Sequence, residues 1–227
     1  LNPSSAASDV YKRQVLDHPV SQKVINRLKN ADVFEIERYQ EMFNRRQQNF
    51  RIQKQNPALI LAKKYDNFVL PAPSGFGIDA QKNYYFSHMY NCIYDCRYCF
   101  LQGMYSSANY VLFVNYEDFF AKITDVIAEN TNDSITFFSG YDCDSLAFEK
   151  ITGFAEQAVE FFSNFNSVEL ELRTKSIVSD TLLKRSPISN CIVAYSLSPS
   201  NVASILDHKA PSVETVSYTH LTLPTTD

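Results

Sequence analysis

The chain has no apolar run near the roughly 20 residues that a membrane-spanning helix requires, and its start has no secretion-signal pattern. A membrane-embedded or exported protein is therefore disfavoured, and a cytoplasmic one with no membrane partner is expected. Internal repeats of fixed period and low-complexity tracts are also missing, which excludes solenoids and linker-like chains. Charge of one sign is lacking too: 21 Lys and Arg stand against 25 Asp and Glu, a formal net charge of -4. The protein is not a polycation that would bind nucleic acid through its overall charge. Cysteine is scarce and odd in number, five in all with three inside the stretch 92–99. That pattern argues for metal binding or thiol chemistry rather than a disulfide framework. What the chain does have is 45% hydrophobic and 14% aromatic residues, enough to bury the core of one ordinary domain.

The two ends differ from the rest. SSAASDVYKRQ at 4–14 and VSYTHLTLPTT at 216–226 can be written as reading frames of opposite strands of one sequencing adapter. Residues 1–14 and 216–227 are accordingly read as translated adapter, and 15–215 as the native insert, cut at its C-terminal side.

Within the insert, Val24, Ile25, Leu28, Phe34, Ile36, Tyr39, Met42 and Phe43 recur at roughly helical spacing, which predicts a helical segment up to Pro57. An apolar stretch at 58–62 and a Pro- and Gly-rich loop at 70–77 complete an N-terminal segment, 15–80. From 81 to 215, β-rich runs at 84–87, 110–114, 134–138, 168–172 and 191–197 alternate with helical patterns at 117–129, 151–165 and 180–184. Such alternation predicts an α/β fold with parallel strands, either a barrel or an open doubly wound sheet. In both, reactive groups collect at the C-terminal ends of the strands.

The sharpest motif is NCIYDCRYCFLQ, where Cys92, Cys96 and Cys99 follow the first strand of that series in CxxxCxxC spacing. Three thiolates on one loop suit an iron-sulfur cluster, and three ligands for four irons leave one iron open to a substrate or cofactor. Tyr94, Tyr98 and Phe100 are placed to wrap such a cluster in an apolar shell. The competing reading is a zinc site in which His88 completes a Cys₃His set.

CxxxCxxC after a first strand resembles the radical S-adenosylmethionine (AdoMet) superfamily. CRYCFLQ, DSLAFEKIT, LRTK, YSLSP and HKAPSVE, in that order, are similar to segments of the spore photoproduct lyase family. The resemblance implies a partial parallel (β/α) barrel and a 4Fe-4S cluster on Cys92, Cys96 and Cys99. It implies reductive cleavage of AdoMet to a 5′-deoxyadenosyl radical that abstracts hydrogen from substrate, with Tyr98, Lys175 and Ser196 helping to hold the cofactor. The implied substrate is a pyrimidine dimer in DNA, and the implied partner a reductase or other one-electron donor.

Two positions depart from the family pattern. Where those lyases carry the cysteine that returns hydrogen to the product radical, this chain has Tyr141, with Cys143 two residues later; both are candidate catalytic residues. The tyrosine that follows the third cluster cysteine is replaced by Phe100. A related member acting on another substrate is therefore kept beside spore photoproduct repair. Outside the class, a zinc-stabilised nucleic-acid-binding module and an inactive fragment remain.

Other residues have plainer expectations. Asp142, Asp144 and Glu149 read as an acid-base set or, for Asp144, as a cap, and the cap is favoured. Arg45, Arg46, Arg51, Lys54, Lys63 and Lys64, with no acid among them, form either a phosphate-binding patch or a solvated face. Cys191 reads as a small core residue, and His18 and His208 have no partner pattern.

Overall fold

A computed structural model describes residues 9–12, 15–77 and 80–221. Of the ends read as adapter, residues 1–8, 13, 14 and 222–227 lie outside the described residues. In chain order the strands are β1 (Asp9–Lys12), β2 (Val33–Ile36), β3 (Leu59–Ala62), β4 (Leu70–Pro71), β5 (Lys82–Phe86) and β6 (Met89–Tyr90). They continue with β7 (Asp95–Cys96), β8 (Tyr110–Phe113), β9 (Ile135–Ser139), β10 (Val168–Thr174), β11 (Cys191–Tyr195) and β12 (Asp207–His208).

Two five-stranded sheets organise the fold, in the orders β2-β1-β3-β8-β6 and β11-β10-β9-β5-β4, and a two-stranded ladder joins β12 to β7. In the first sheet β6 runs antiparallel to β8 and the other pairs are parallel. In the second, β4 runs antiparallel to β5 and the rest are parallel. The fold is thus mixed α/β. Strands 110–114 and 84–87, expected in one series, divide between the two sheets: β8 pairs with β3 and β5 pairs with β9.

The N-terminal segment also differs from the continuous helical run expected there. Helix Pro19–Arg27 begins where His18 Nδ1 accepts from the backbone N–H of Val20 and Pro19 supplies the favoured φ at the first turn. Short helices Tyr39–Phe43 and Phe50–Gln53 follow, but β2 lies between them and the first. Val33, Phe34 and Ile36 are β-branched or aromatic, so pairing with a neighbouring strand overrides the helical spacing. The apolar stretch 58–62 becomes β3, buried at all four positions because it lies between β1 and β8.

The helical pattern at 117–129 forms one helix, whereas that at 151–165 divides at the left-handed Gly153 into Glu149–Thr152 and Phe154–Phe162. Helix Tyr116–Glu129 buries Tyr116, Phe119, Ile123 and Val126 on one face, and helix Phe154–Phe162 buries Phe154, Ala155, Ala158, Val159 and Phe162. Removing a side chain such as Phe119 or Phe162 from water contributes about 2 to 3 kcal/mol each, so these faces anchor the sheet that carries the loops described next.

Register decides where those loops begin. Phe86 pairs with Ser139, Ser139 with Leu172, and Thr174 with Tyr195. The segments after β5, β9, β10 and β11 consequently leave from one end of the sheet. Gly140, at φ +90°, turns the chain out of β9, and a Cβ there would meet Ser145 Oγ, which donates to the Ser139 carbonyl at 2.8 Å. Gly140→Ala is expected to cost about 1 to 3 kcal/mol in chemical denaturation. An unchanged midpoint would mean that the loop relaxes freely around the added methyl.

Candidate active site

The loop after β5 carries the three cysteines. All are free; Cys96 is buried and Cys92 and Cys99 are partly so. Cys92 accepts from the Tyr94 N–H at 3.4 Å, and Cys92 and Cys99 line a common cavity with Tyr94 and Asp95. Cys96 lies on β7, paired in register with Asp207 of β12, and the Arg97 N–H donates to the Leu206 carbonyl at 2.8 Å. The segment around Asp207 therefore lies directly on the cysteine loop.

Burial first, then the nearby Asp207, pushes the Cys96 thiol up to about 12, and burial with the Asp144 charge pushes Cys92 well up. Among the described residues no three His, Cys, Asp or Glu side chains are gathered ready to hold a metal ion. The donor chemistry nonetheless fits an iron-sulfur cluster: three unpaired thiols on one short loop, two of them on a shared cavity. His88 takes no part in this set. It is buried, its ring stacks on Phe154 at 3.6 Å, and its Nδ1 faces Cys143 Sγ at 4.0 Å.

Lys175 leaves the end of β10 and Ser196 the end of β11, as expected for groups on the working face. The Lys175 ammonium contacts the Ser196 carbonyl, pairs with Asp207 Oδ2 at 3.1 Å, and lies 5.8 Å from the Tyr98 ring centre. Tyr98 is exposed and its hydroxyl meets Ser198 Oγ at 3.4 Å. The three residues expected around the cofactor are thus brought together. Burial works against the Lys175 charge, but hydrogen bonds with Tyr98 and Asp207 outweigh it and raise the pKa. Asp207, which faces both Lys175 and Cys96, lies outside the sequence motifs. Its signal was an acid immediately before HKAPSVE, legible only once Lys175 and Cys96 are known to face it.

The loop after β9 holds Tyr141 and Cys143, and the two sit differently. Tyr141 is half-buried, 4.3 Å from the Tyr85 ring, 5.6 Å from Phe100 and 6.4 Å from Phe76. The two departures from the family pattern, Tyr141 and Phe100, are therefore in ring contact. Cys143 is buried within the hydrophobic core with its thiol toward His88.

Asp144 is tied to structure. Its carboxylate accepts from the N–H groups of Leu146, Ala147 and Lys175 and from the Thr174 hydroxyl, at 2.6 to 3.0 Å. It caps the turn leading into helix Glu149–Thr152 and clamps the β9 loop to the end of β10, which agrees with the cap reading. Glu149 accepts from the N–H groups of Ala155 and Glu156, so it caps the next helix. In the basic stretch, Arg45, Arg46 and Arg51 are exposed, whereas Lys54 pairs with Asp95 and Lys64 is buried. Cys191 packs against the core as expected.

A family model described as spore photoproduct lyase matches residues 10–216. The fold is similar to that of a mutant spore photoproduct lyase with bound AdoMet and dinucleoside spore photoproduct. That likeness has a TM-score of 0.80 at 18% identity, over 94% of this chain and 63% of the other. A spore photoproduct lyase complexed with dinucleoside spore photoproduct gives a TM-score of 0.79 at 18% identity, over 95% of this chain and 64% of that one. The chain spans slightly less than two thirds of the length of these proteins. Among curated protein sequences none matches it.

Proposed function

The chain belongs to the spore photoproduct lyase family, and on that premise we propose that it is the greater part of a radical AdoMet enzyme acting on a DNA lesion. Cys92, Cys96 and Cys99 would hold a 4Fe-4S cluster, while Tyr98, Lys175 and Ser196 would hold AdoMet. Strands β5, β9, β10 and β11 form the portion of a partial parallel barrel that this chain contains, with 15–80 as its N-terminal segment and 81–215 as the barrel region. Residues 1–14 and 216–227 are translated adapter in this reading. Sheet hydrogen bonds are made by backbone, so the β-prone pair Val10 and Tyr11 can fill a strand position whatever its origin.

The observation that carries the reading is that the cysteine loop after β5, Lys175 after β10 and Ser196 after β11 all leave from the same end of one sheet. When bound, the cluster and AdoMet would supply reductive cleavage and hydrogen abstraction, with electrons from a separate one-electron donor. The chain's own residues orient the cofactor. The charged Lys175, facing the Tyr98 ring, is a donor suited to the AdoMet carboxylate. Exposed Arg45, Arg46 and Arg51 would meet DNA phosphates.

The test is anaerobic reconstitution with iron and sulfide, followed by an assay for dithionite-driven formation of 5′-deoxyadenosine. Cys96→Ala is expected to abolish it. A folded chain that binds zinc and no cluster would sink the reading.

Hydrogen return falls to Tyr141 rather than Cys143, because Tyr141 lies in contact with Phe100 beside the cysteine loop while the Cys143 thiol is directed into the core. A tyrosine O–H exchanges with solvent, so turnover in D₂O should place deuterium in the product. Tyr141→Phe should reduce that incorporation at least tenfold, about 1.4 kcal/mol or more on that step, and Cys143→Ala should leave it unchanged. The opposite pattern would give the role to Cys143.

A further inference from the structure

The ribbon of β7 and β12 has two unlike faces. Residues paired across an antiparallel ladder project to the same side, and successive residues on each strand alternate. Cys96 and its partner Asp207 turn toward Lys175, while Asp95 and its partner His208 turn the other way, where Asp95 meets Lys54. The ladder continues for one more bond, from the Arg97 N–H to the Leu206 carbonyl at 2.8 Å, so Arg97 falls on the side of Asp95. Lys209 lies at the far end of the ribbon, and its ammonium donates to the Lys54 carbonyl at 3.3 Å.

This outer face is basic in a chain whose formal net charge is -4. Lys54 answers Asp95, whereas the exposed Arg97 and Lys209 are in no ion pair among the described residues. The face also has a route inward. Lys54 and Lys209 line the cavity that Cys92 and Cys99 border, and none of Tyr98, Lys175 and Ser196 does. Two of the three proposed cluster ligands are thus reached from the outer side of the ribbon without crossing the residues proposed for AdoMet.

We propose that the outer face of the ribbon docks a small acidic protein that carries one electron at a time. The reduced carrier loses one electron and the cluster gains it, one for each cleavage of AdoMet. Exposed charges such as Arg97 and Lys209 steer a transient partner of opposite charge and set its on-rate. The inference rests on the radical AdoMet reading for the need of an electron, and on the ribbon for where the electron enters.

The experiment begins with the full chain without iron, so its first result is independent of whether a cluster forms. Oxidised flavodoxin, an acidic one-electron carrier, is the probe, and binding is followed by isothermal titration calorimetry. Saturable binding that weakens as salt is added is expected, because exposed charges are screened. Arg97→Glu with Lys209→Glu should weaken it about tenfold or more. The same change of charge at Lys122 and Lys150, exposed on helices Tyr116–Glu129 and Glu149–Thr152, should leave it unaltered. In the reconstituted protein, bleaching of the cluster by reduced flavodoxin should slow to a similar extent in the Arg97 and Lys209 variant. Bleaching by dithionite, which is too small to need a docking face, should keep the parent rate. If the double variant fails to fold, Lys209→Glu alone should bind flavodoxin several-fold more weakly than the parent. No saturable binding, equal weakening by the two pairs of substitutions, or equal slowing with both reductants would each overturn the proposal. A chain that binds flavodoxin in this charge-dependent way yet never takes up a cluster would reject the radical reading and leave the docking face standing.

Discussion

Lys175→Met is expected to destabilise the protein by about 3 to 5 kcal/mol, the range for removing one partner of a buried ion pair, and to abolish AdoMet binding in the reconstituted enzyme. The Lys175 side chain is 13% exposed and that of Asp207 6%, so the change leaves a largely buried carboxylate without its cation. Asp207 keeps hydrogen bonds from Tyr98 and Cys96, which soften the loss without replacing the cation. Lys175→Met combined with Asp207→Leu removes both charges and should recover most of the stability, because well-packed apolar replacements of buried pairs are often neutral or better. The double variant therefore separates the two roles of Lys175. If it folds with near-parent stability and still binds no AdoMet, the lysine acts on the cofactor. If it binds AdoMet as the parent does, Lys175 is structural and the cofactor assignment falls.

The second large effect is acid instability centred on His88. Burial holds its imidazole neutral and lowers its pKa from 6.5 to about 3. Above the unfolded value both states are neutral and the contribution is fully present. As pH falls below about 6.5 the unfolded chain takes up a proton that the folded chain refuses, so stability is lost at about 1.4 kcal/mol per pH unit until about pH 3. The total is on the order of 4 to 5 kcal/mol. Buried carboxylates such as Asp142 and Asp144, whose pKa values burial raises, act in the opposite direction above their ordinary value and must be subtracted. His88→Phe does this directly, since a phenyl ring can keep the stack on Phe154 without titrating. Denaturant midpoints between pH 8 and 4 should fall more steeply for the parent than for this variant. Parallel curves would mean that His88 is not held neutral.

Much of the chemistry was legible without coordinates because it is encoded locally. The CxxxCxxC run places three thiols on one loop by chain connectivity alone. Lys175 follows a strand whose β-rich pattern announces it, whereas Ser196 lay inside the β-rich run 191–197 and is placed past the strand only by the end of β11 at Tyr195. Helical patterns at 117–129 and 151–165 announced the helices after β8 and β9, though not the break at Gly153. The N-terminal segment was less legible, because the apolar residues from 33 to 43 fit both a helical and an extended reading, and pairing at β2 chose between them.

What only the tertiary structure decided are relations between residues far apart in the chain. The division of β5 and β8 between two sheets, the ion pair between Lys175 and Asp207, and the ring contact between Tyr141 and Phe100 all depend on which surfaces are buried together. So does the seclusion of Lys64, which the basic stretch leaves open between a phosphate-binding patch and a solvated face. The residue sequence by itself determined which functional groups are present and which strand ends they follow, since spacing along the backbone sets both. It could not determine their partners. Partnership comes from the competition between burial and hydrogen bonding over the whole fold, and no local window contains both sides of that balance.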